Sequence, residues 1–362
     1  MSNTYTAAYL KQYTKEVFQA MGSTEKDALQ AAEVLISADL RGVDSHGVAR
    51  LSGYVKLWQK GRLNGNPKPK IVHETPSTAV LDADLGAGLV VAPQAMRLAM
   101  EKARIAGTGW VAVKNSNHFG IAGYHAMLAL EEDMIGWAFT NASPLVAPTH
   151  SKSRLLGTNP IAVAFPAKNN PPIVIDMATT TVANGKLEVL NRKGLNTPDG
   201  WTQDKDGMPS NSATILKEGG AMRPLGSNPD LGSHKGYCLG SMVDILSGVL
   251  SGANYGPWVP PFVAFLEPSK DQVGEGIGHF FGAMRVDAFR PAEEFKAHID
   301  NWIEAFRNAE SIYPDQKVLI PGDPERELTA YRLEHGIELL PPVVADLQSL
   351  ANELGITFQT NS

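Results

Sequence analysis

The sequence predicts an α/β fold in which helices pack on a sheet, and three observations support this prediction. Short apolar runs of strand length recur through the middle of the chain. Several of them are linked in the order strand, loop, helix, strand. Helices with one apolar face precede and follow this region. The predicted strands span residues 110–113, 135–139, 161–165, 173–175 and 279–289.

The predicted helices begin near the N-terminus. Apolar residues recur at steps of three and four between positions 10 and 21, and Gly22 ends this first helix. Thr24, with Asp27 three residues later, is typical of a capping box for a second helix that runs to about Leu40. Further helices are predicted at residues 94–106, 122–130, 236–253 and, after Pro291, 295–306.

Two segments stand out by composition. Residues 236–253 form the most apolar stretch, but Asp244 and Ser247 are among the residues that interrupt it. The stretch is therefore too polar for a membrane span and is predicted as a buried helix packed tightly at its glycines. Residues 191–230 are rich in Gly, Pro, Asn and Asp, which predicts a long ordered loop near the functional site.

The overall composition excludes several classes of protein. A length of 362 residues fits two domains, or one large domain with an added helical layer. The net charge of −6 argues against binding to nucleic acid. Cys238 is the only cysteine, which excludes a disulfide framework, and its apolar surroundings predict an inert, buried thiol. The first 20 residues have helical spacing and no signal-peptide core, so we expect a cytoplasmic protein that binds no membrane.

Generic cofactor and metal motifs are absent from the sequence. The nearest match to the dinucleotide motif G-x-G-x-x-G is Gly86-Ala87-Gly88, but Val91 stands where the last glycine belongs. There is no phosphate-binding P-loop, and no histidine pair has the H-E-x-x-H spacing of a catalytic zinc site. These motifs alone leave a candidate α/β enzyme without the usual dinucleotide signature and without a metal.

The first informative loop follows the second helix, at residues 44–50. His46 lies beside a carboxylate and the hydroxyl of Ser45, which predicts a proton donor with a pKa near neutrality and a fixed tautomer. Arg50, four residues later, can bind a substrate carboxylate with its two-pronged guanidinium. The alternative is a helix cap in which His46 and Arg50 only compensate the helix dipole.

Three further polar loops lie at the ends of predicted elements. Asn117 and His118 follow a strand, at the edge where open α/β sheets bind ligands. Residues 157–160 and 176–178 lie beside two other strands, and His234 with Lys235 begins a helix, an arrangement that suits a phosphate. Each loop also has a structural alternative, namely a backbone-bonded histidine, a turn, a strand end or a charged cap. The remaining histidines are interpreted as structural or surface residues: His73, His125, His150, His298 and His335.

Taken together, these segments resemble the malate/L-lactate dehydrogenase family of the non-Rossmann type. That family also includes sulfolactate and ureidoglycolate dehydrogenases, diketogulonate reductase and cyclic-imine reductases. The matching pieces occur in the family's order and extend over nearly the whole chain. They are residues 44–50 (DSHGVAR), 115–120 (NSNHFG), 157–160 (GTNP), 175–179 (IDMAT), 234–237 (HKGY) and 320–324 (IPGDP).

The resemblance implies a particular architecture. A mixed sheet forms a nicotinamide-binding domain of non-Rossmann type, expected at residues 76–299, which accounts for the missing glycine motif. A helical part built from both chain ends, residues 1–75 plus 300–362, is expected to serve substrate binding and dimerisation. The resemblance also implies a homodimer whose interface contributes to the site.

The resemblance also implies roles for individual residues. His46, with Ser45, faces the substrate carbonyl, and Arg50 binds its carboxylate. Asn117 and His118 contact the substrate as well, and His118 orients both substrate and nicotinamide. No metal is expected. The residues expected to border the cofactor are His118, Asn141, Thr158, Asn159, Pro160, Asp176, Met177, Ala178, Lys186, His234, Lys235, Pro321, Gly322 and Asp323.

The activity implied is hydride transfer between NAD(P)H and a small 2-oxo acid, with a protonated His46 donating to the carbonyl oxygen. Malate and oxaloacetate are the first expectation for the substrate pair, and lactate, sulfolactate and other short 2-hydroxy acids stay open. NAD is favoured as cofactor, with NADP as the alternative. Two other functions also stay open: an imine reductase of the same family and a non-catalytic homologue that binds a metabolite.

Overall fold

A seven-stranded mixed sheet forms the centre of the molecule. The computed structural model describes residues 3–262, 266–313 and 315–359. The strand order is β2-β3-β4-β11-β5-β6-β7, in which β3 and β4 are parallel and all other neighbours are antiparallel. The strands of this sheet are β2 (Lys70–Glu74), β3 (Thr78–Asp82), β4 (Thr108–Ser116), β5 (Met134–Thr140), β6 (Ile161–Phe165), β7 (Ile173–Met177) and β11 (Ile277–Arg285). The predicted α/β class and mixed sheet are confirmed.

Helices and five short strands surround this sheet. The helices are α1 (Ala7–Ala20), α2 (Glu25–Leu40), α3 (Leu51–Gln59), α4 (Gly88–Ala106), α5 (Ala122–Met127), α6 (Asn184–Arg192), α7 (Ser233–Asp244), α8 (Ala292–Arg307), α9 (Asp323–His335) and α10 (Pro341–Leu354). The short strands are β1 (Thr4–Tyr5), β8 (Thr202–Gln203), β9 (Pro209–Ser210), β10 (Ala221–Met222) and β12 (Ile337–Glu338). None of the helices in the described ranges is long and apolar enough to cross a membrane.

Helices α4 and α5 cover one face of the sheet. Small side chains dominate this core, so the helix backbones approach the strands closely; Gly109 and Gly136 each have a helix carbonyl where a Cβ would lie. Helix α4 begins at Gly88, six residues before the predicted start at residue 94. The predicted start was wrong, because Pro93 lies inside the helix, where it removes one backbone hydrogen bond without ending it.

The two chain ends pack together as a helical layer. Apolar faces of α1, α2 and α3 share a core with α10, and β1 pairs with β12. Thr6 and Thr24 cap α1 and α2 through their hydroxyls, the latter as the capping box predicts. The domain boundary expected at 75/76 lies directly after β2, which pairs within the large sheet. The boundary expected at 299/300 lies inside α8.

Two predicted segments differ from the structure. The loop expected at residues 191–230 contains a small antiparallel sheet, β10-β8-β9. Its strands are two residues long, which is too short for their periodicity to be recognised in the sequence. Helix α7 and the π-helical turn that follows it are not buried as predicted: Ile245 is 55% exposed, and Cys238 is exposed as well. The tight glycine packing is present, since Gly236 has the Leu225 backbone within 2.3 Å of a built Cβ. This helix buries its small residues and presents large apolar side chains outward.

Two histidines lie in the core without exposure. His279 Nδ1 lies 2.7 Å from the Thr140 hydroxyl and its Nε2 lies 2.8 Å from the Ser116 hydroxyl. His125 Nε2 donates to the Phe119 carbonyl at 2.8 Å, and its Nδ1 has no hydrogen-bond partner among the described residues. Burial lowers the pKa of His125 to about 4 and that of His279 to about 3. Both rings are therefore neutral in the folded protein at physiological pH.

These buried histidines predict a loss of stability in acid. Below about pH 6.5 His125 binds a proton in the unfolded chain, whereas in the folded chain it stays neutral down to about pH 4. The free energy of unfolding therefore decreases as the pH falls from about 6.5 to about 4. We expect His125→Phe to reduce the slope of unfolding free energy against pH by about 1.4 kcal/mol per pH unit. Denaturant titrations between pH 6.5 and 4 measure it. The exposed His73→Gln is the control, and equal slopes in both variants would contradict the prediction.

Candidate active site

A buried carboxyl group positions the loop at residues 44–50 through a backbone hydrogen bond. Asp39, near the end of α2, is 1% exposed and accepts a hydrogen bond from the Val48 N–H at 2.9 Å. A Cβ built on Gly47 would lie 1.8 Å from an Asp39 oxygen, so only glycine fits here. Burial raises the pKa of Asp39 to about 8. This contact fixes the path of the loop and hence the position of His46.

His46 lies on the first turn of this loop, beside Ser45. The Ser45 hydroxyl is 2.9 Å from Nδ1 of the ring, as the prediction of a fixed tautomer requires. The predicted carboxylate partner was wrong, because Asp44 pairs with Arg332 on α9. The predicted pKa near neutrality was also wrong: burial and then the charge of Arg50 lower the pKa of His46 to about 3. His46 is therefore neutral in the free protein.

His118 follows β4, at the strand end where it was predicted. Its Nδ1 accepts from the Gly120 N–H at 3.3 Å and lies 2.6 Å from the Tyr54 hydroxyl. Because Nδ1 accepts from a backbone N–H, the proton of the neutral ring lies on Nε2, and Tyr54 donates to Nδ1. Burial, and then the neighbouring His46 and Arg50, which disfavour a second positive charge here, lower the pKa of His118 well below its ordinary value. His118 thus presents a neutral N–H donor.

The two histidines form the centre of the site. Their rings are stacked with centroids 5.5 Å apart and planes 22° apart. Phe262 also stacks on His118, at 4.5 Å and 22°, and contacts Tyr54 at 5.0 Å. Two imidazoles in an apolar setting can donate hydrogen bonds to one carbonyl oxygen, and an imidazole that has gained a proton can transfer it to that oxygen.

Asn117 takes part differently from its predicted role. Its side-chain amide donates to the Leu85 carbonyl at 2.8 Å and to the Arg62 carbonyl at 3.2 Å, and the residue is 6% exposed. These bonds tie the His118 loop to the chain before α4. In this structure Asn117 positions the loop and leaves no donor for a substrate.

Arg50 lies beside His46 but its guanidinium is already bound. Nη2 donates to Glu188 on α6 at 3.1 Å and Nη1 to the second oxygen at 3.4 Å, while Nε donates to the Ser45 carbonyl. Asn184 also donates to Glu188, at 2.9 Å. A carboxylate therefore already lies on the two-pronged face of Arg50, where the sequence predicts that of a substrate. Glu188 competes with any anionic ligand for this arginine.

This competition predicts a measurable effect of Glu188. Replacing Glu188 with glutamine removes the competing charge and keeps the side-chain size, so the anionic substrate should bind about three- to tenfold more tightly. The KM for a 2-oxo acid, the substrate class that the sequence resemblance implies, or its Kd by calorimetry, measures this change. Lys193→Gln, on an exposed residue just after α6, is the matched control. An increased KM in Glu188→Gln would show that the ion pair instead holds Arg50 in its working position.

The two asparagines expected to border the cofactor use their side chains in hydrogen bonds within the protein. Asn141 is 1% exposed, donates to Asp244 and to the Asn254 carbonyl, and accepts from the Gly278 N–H. Asn159 is fully buried, accepts from the Ala142 N–H at 3.1 Å and donates to the Gly240 carbonyl at 2.9 Å. Their side chains hold the strand ends together, so direct contact with a cofactor is not available to them in this structure.

Other residues of the predicted cofactor set lie around β6 and β7. The Thr158 carbonyl, two residues before Pro160, accepts from the Thr179 N–H at 3.0 Å. Asp176, at the end of β7 before Met177 and Ala178, accepts from the Gly123 N–H at 2.8 Å, next to the His118 loop. The Pro321 carbonyl accepts from Val174 on β7. Through Asp176, the residues predicted to border the cofactor thus lie next to the His118 loop.

Asp323 begins α9 directly after Gly322, whose φ of 98° suits glycine. The Asp323 carboxylate pairs with Arg307 at 3.1 Å and with Arg326 at 2.5 Å. Backbone hydrogen bonding from Ile320 and both arginines lower its pKa in spite of burial. The negative charge of Asp323 is therefore balanced by two arginines of this chain.

The exposed members of the predicted set fit a dinucleotide. Lys186, His234 and Lys235 are exposed and have no ion-pair partner among the described residues. Lys235, in the first turn of α7, suits a phosphate group, and Met177, 37% exposed, offers an apolar surface for a ring. Over the described ranges, no group of three or more His, Cys, Asp or Glu residues has an arrangement that could hold a metal ion.

Four site residues were missed by sequence reasoning: Asp39, Tyr54, Glu188 and Phe262. Tyr54 follows Arg50 by four residues on one helical face, a spacing that could have pointed to it. Asp39 is an acid on an otherwise apolar helix face, a weaker signal. Glu188 and Phe262 lie 138 and 144 residues from the groups they contact, Arg50 and His118, and no local pattern indicates them.

Comparison with known proteins finds relatives that match nearly the whole chain. The malate dehydrogenase of Pyrococcus abyssi is 44% identical over 346 residues, 95% of this chain and 93% of that protein. The L-sulfolactate dehydrogenase of Methanocaldococcus jannaschii is 38% identical, over 95% of each chain. The solved malate dehydrogenase of Entamoeba histolytica superposes with a TM-score of 0.91 at 33% identity over 99% of each chain. The Δ1-piperideine-2-carboxylate reductase of Pseudomonas syringae pvar. tomato has a TM-score of 0.81 at 26% identity over 96% of this chain and 99% of that one.

With these relatives, the mixed sheet and the paired-histidine site define a hydroxy acid dehydrogenase. The family profile described as malate/L-lactate dehydrogenase matches residues 5–348. The chain belongs to the malate/L-lactate dehydrogenase family. The predicted family and the predicted enzyme class are therefore confirmed.

Proposed function

We propose that the enzyme interconverts malate and oxaloacetate, with NAD as its first-choice cofactor. The observation that carries this proposal is the placement of Arg50 next to His46 and His118, which provides a carboxylate site beside two groups that bind a carbonyl oxygen. The bound nicotinamide supplies or accepts the hydride. Every other part of the reaction is assigned to side chains of this chain.

His46 is proposed as the group that exchanges a proton with the substrate oxygen. In the direction of oxidation, neutral His46 accepts the hydroxyl proton. In the direction of reduction it must first gain a proton, and the substrate carboxylate favours this by offsetting the charge of Arg50 that helps to lower the pKa of His46. His118 donates a hydrogen bond from Nε2 to the same oxygen, and Tyr54 holds His118 in that tautomer.

The preference for a substrate with two acidic groups rests on the cavity beside Arg50. This cavity of about 430 Å³ is lined by Lys56, Arg192 and Lys217. Its two acids are Glu188, which pairs with Arg50, and Asp346, which accepts from Ser52. A second carboxylate extending from the site would meet these cations. Sulfolactate offers a sulfonate at the same place and is the closest competitor.

The experiment compares oxaloacetate, sulfopyruvate and pyruvate with NADH and with NADPH, following absorbance of the reduced cofactor. We expect kcat/KM to be higher for the two-acid substrates than for pyruvate. Lys56→Met should lower kcat/KM for oxaloacetate about tenfold and leave pyruvate unchanged. A preference for pyruvate that Lys56→Met does not alter would overturn the proposed substrate, and absence of turnover with every acid would overturn the proposed function.

Reduction of a cyclic imine is the second candidate, and the likeness to a piperideine-2-carboxylate reductase favours considering it. A protonated imine needs no proton donor at the reacting nitrogen. Piperideine-2-carboxylate therefore belongs in the same panel, and turnover of it that survives loss of His46 would support this candidate. A non-catalytic metabolite-binding role requires that none of these acids or imines be turned over.

We also propose that the enzyme works as a homodimer in the cytoplasm, without nucleic-acid partners. Large apolar side chains of α7 and the following turn are exposed, and contiguous patches of this kind mark interfaces. Light scattering should give twice the 38.9 kDa chain mass, and Ile245→Glu should shift it toward the monomer. The control is Ile105→Glu, on an 83% exposed residue at the end of α4. A monomeric wild type would overturn the dimer.

A further inference from the structure

A second cavity, outside the paired-histidine site, contains a buried cation without a partner. It lies between the small sheet β10-β8-β9 and the start of α7, and has a volume of about 450 Å³. Arg223 lines it, directly after β10, and is 7% exposed. Among the described residues, no hydrogen bond or ion pair reaches its guanidinium, and burial is the cause that lowers its pKa.

The backbone on both sides holds Arg223 in place. Its N–H donates to the Trp201 carbonyl at 3.0 Å, and its carbonyl accepts from the Thr181 N–H at 3.1 Å. The guanidinium is therefore presented from a fixed main chain. A buried cation without a counter-charge costs folding free energy, so its presence favours a function over a structural role.

The rest of the lining is polar and carries a net positive charge. The Thr149 and Ser233 hydroxyls lie 2.9 Å apart, and Ser233 is the first residue of α7, where backbone dipoles favour an anion. Lys152 also lines the cavity. Asp206 is the one carboxylate among its described lining residues, and it pairs with Lys205 at 3.4 Å.

From this arrangement we propose that the cavity binds a phosphate group through Arg223, assisted by Lys152 and the Thr149 and Ser233 hydroxyls. Arginine binds phosphate with two parallel hydrogen bonds, and the volume admits a molecule larger than inorganic phosphate. The phosphate belongs either to the cofactor, as the 2′-phosphate of NADP, or to a separate phosphorylated metabolite. Ser233 is followed by His234 and Lys235, which places the cavity next to the predicted cofactor residues. The proposal does not depend on the identity of the oxo acid.

The test measures thermal unfolding at constant ionic strength with inorganic phosphate, adenosine 2′-monophosphate or adenosine 5′-monophosphate as probes. For the wild type, phosphate at ten times its Kd should raise Tm by about 2 °C. Arg223→Leu, which keeps apolar volume, should lose this shift without a lower Tm in phosphate-free buffer. Arg223→Lys should retain part of the shift, and Lys193→Ala, on an exposed residue outside the cavity, should retain all of it.

Steady-state kinetics identifies the source of the phosphate. If Arg223→Leu lowers kcat/KM for NADPH about tenfold or more and leaves NADH unchanged, the group is the 2′-phosphate of the cofactor. If both cofactors are unaffected while the phosphate shift is lost, a separate phosphorylated ligand binds. Equal phosphate shifts in wild type and Arg223→Leu, or none in either, would overturn the proposal. Because NADH turnover is measured on the same samples, failure of the dehydrogenase assignment is seen separately.

Discussion

Replacing His46 with alanine is expected to lower kcat for oxaloacetate reduction by about 10²- to 10⁴-fold, the usual contribution of a positioned proton donor. Cofactor binding, followed by the fluorescence of the reduced nicotinamide, should change little, because His46 lies on the substrate side. His118→Ala should have a smaller effect on kcat and a larger one on KM, since its proposed role is to bind and orient. Initial rates with saturating cofactor measure both variants.

Tyr54→Phe separates positioning from chemistry in this comparison. It removes the donor to His118 Nδ1 and keeps the ring that contacts Phe262, so it should resemble a mild His118 variant. Near-normal turnover in His46→Ala together with loss of activity in His118→Ala would exchange the roles of the two histidines. If His46→Ala loses turnover of the 2-oxo acid but keeps turnover of the cyclic imine, the result would support imine reduction as the function.

Arg50→Met is expected to lower kcat/KM for the 2-oxo acid by about 10²- to 10³-fold, because two hydrogen bonds from a cation to the substrate carboxylate are lost. The effect should appear mainly in KM. Arg50→Lys should recover only a small part, since an ammonium group cannot donate two parallel bonds. The exposed Lys60→Met, at the end of α3, controls for loss of positive charge.

A structural explanation of the same loss is tested by a double variant. Arg50→Met leaves Glu188 without its ion-pair partner, which could disturb α6. Arg50→Met combined with Glu188→Gln removes that unpaired charge. If activity returns in the double variant, Arg50 acts through α6, whereas continued loss supports direct binding of the substrate carboxylate.

The sequence was informative where chemistry and local pattern coincide. The loops that carry His46, Arg50 and His118 are short polar segments between apolar elements, and they were predicted in their observed positions at element ends. The α/β class followed from the period of the apolar residues. The electrostatic state of the site did not follow, because the pKa of His46 depends on burial and on Arg50, and both depend on packing.

Contacts between distant segments account for the other differences. The Asp44 carboxylate, expected to serve His46, instead pairs with Arg332 on a helix from the other end of the chain. Asn117, Asn141 and Asn159 occur in the right loops, but their amides satisfy buried backbone groups that only the assembled fold brings within reach. Residue type and position indicated the neighbourhood of the site, and tertiary contacts decided which side chains stay free within it.

Helix α6 touches both halves of the site. A Cβ built on Gly185 would lie 2.1 Å from the Ser45 Cβ, Lys186 is one of the exposed cations predicted to border the cofactor, and Glu188 binds Arg50. Any shift of this helix when the dinucleotide binds must therefore reach the catalytic loop and the arginine. In kinetic terms, we expect the two ligands to bind in a compulsory order, with the coenzyme first and the acid second.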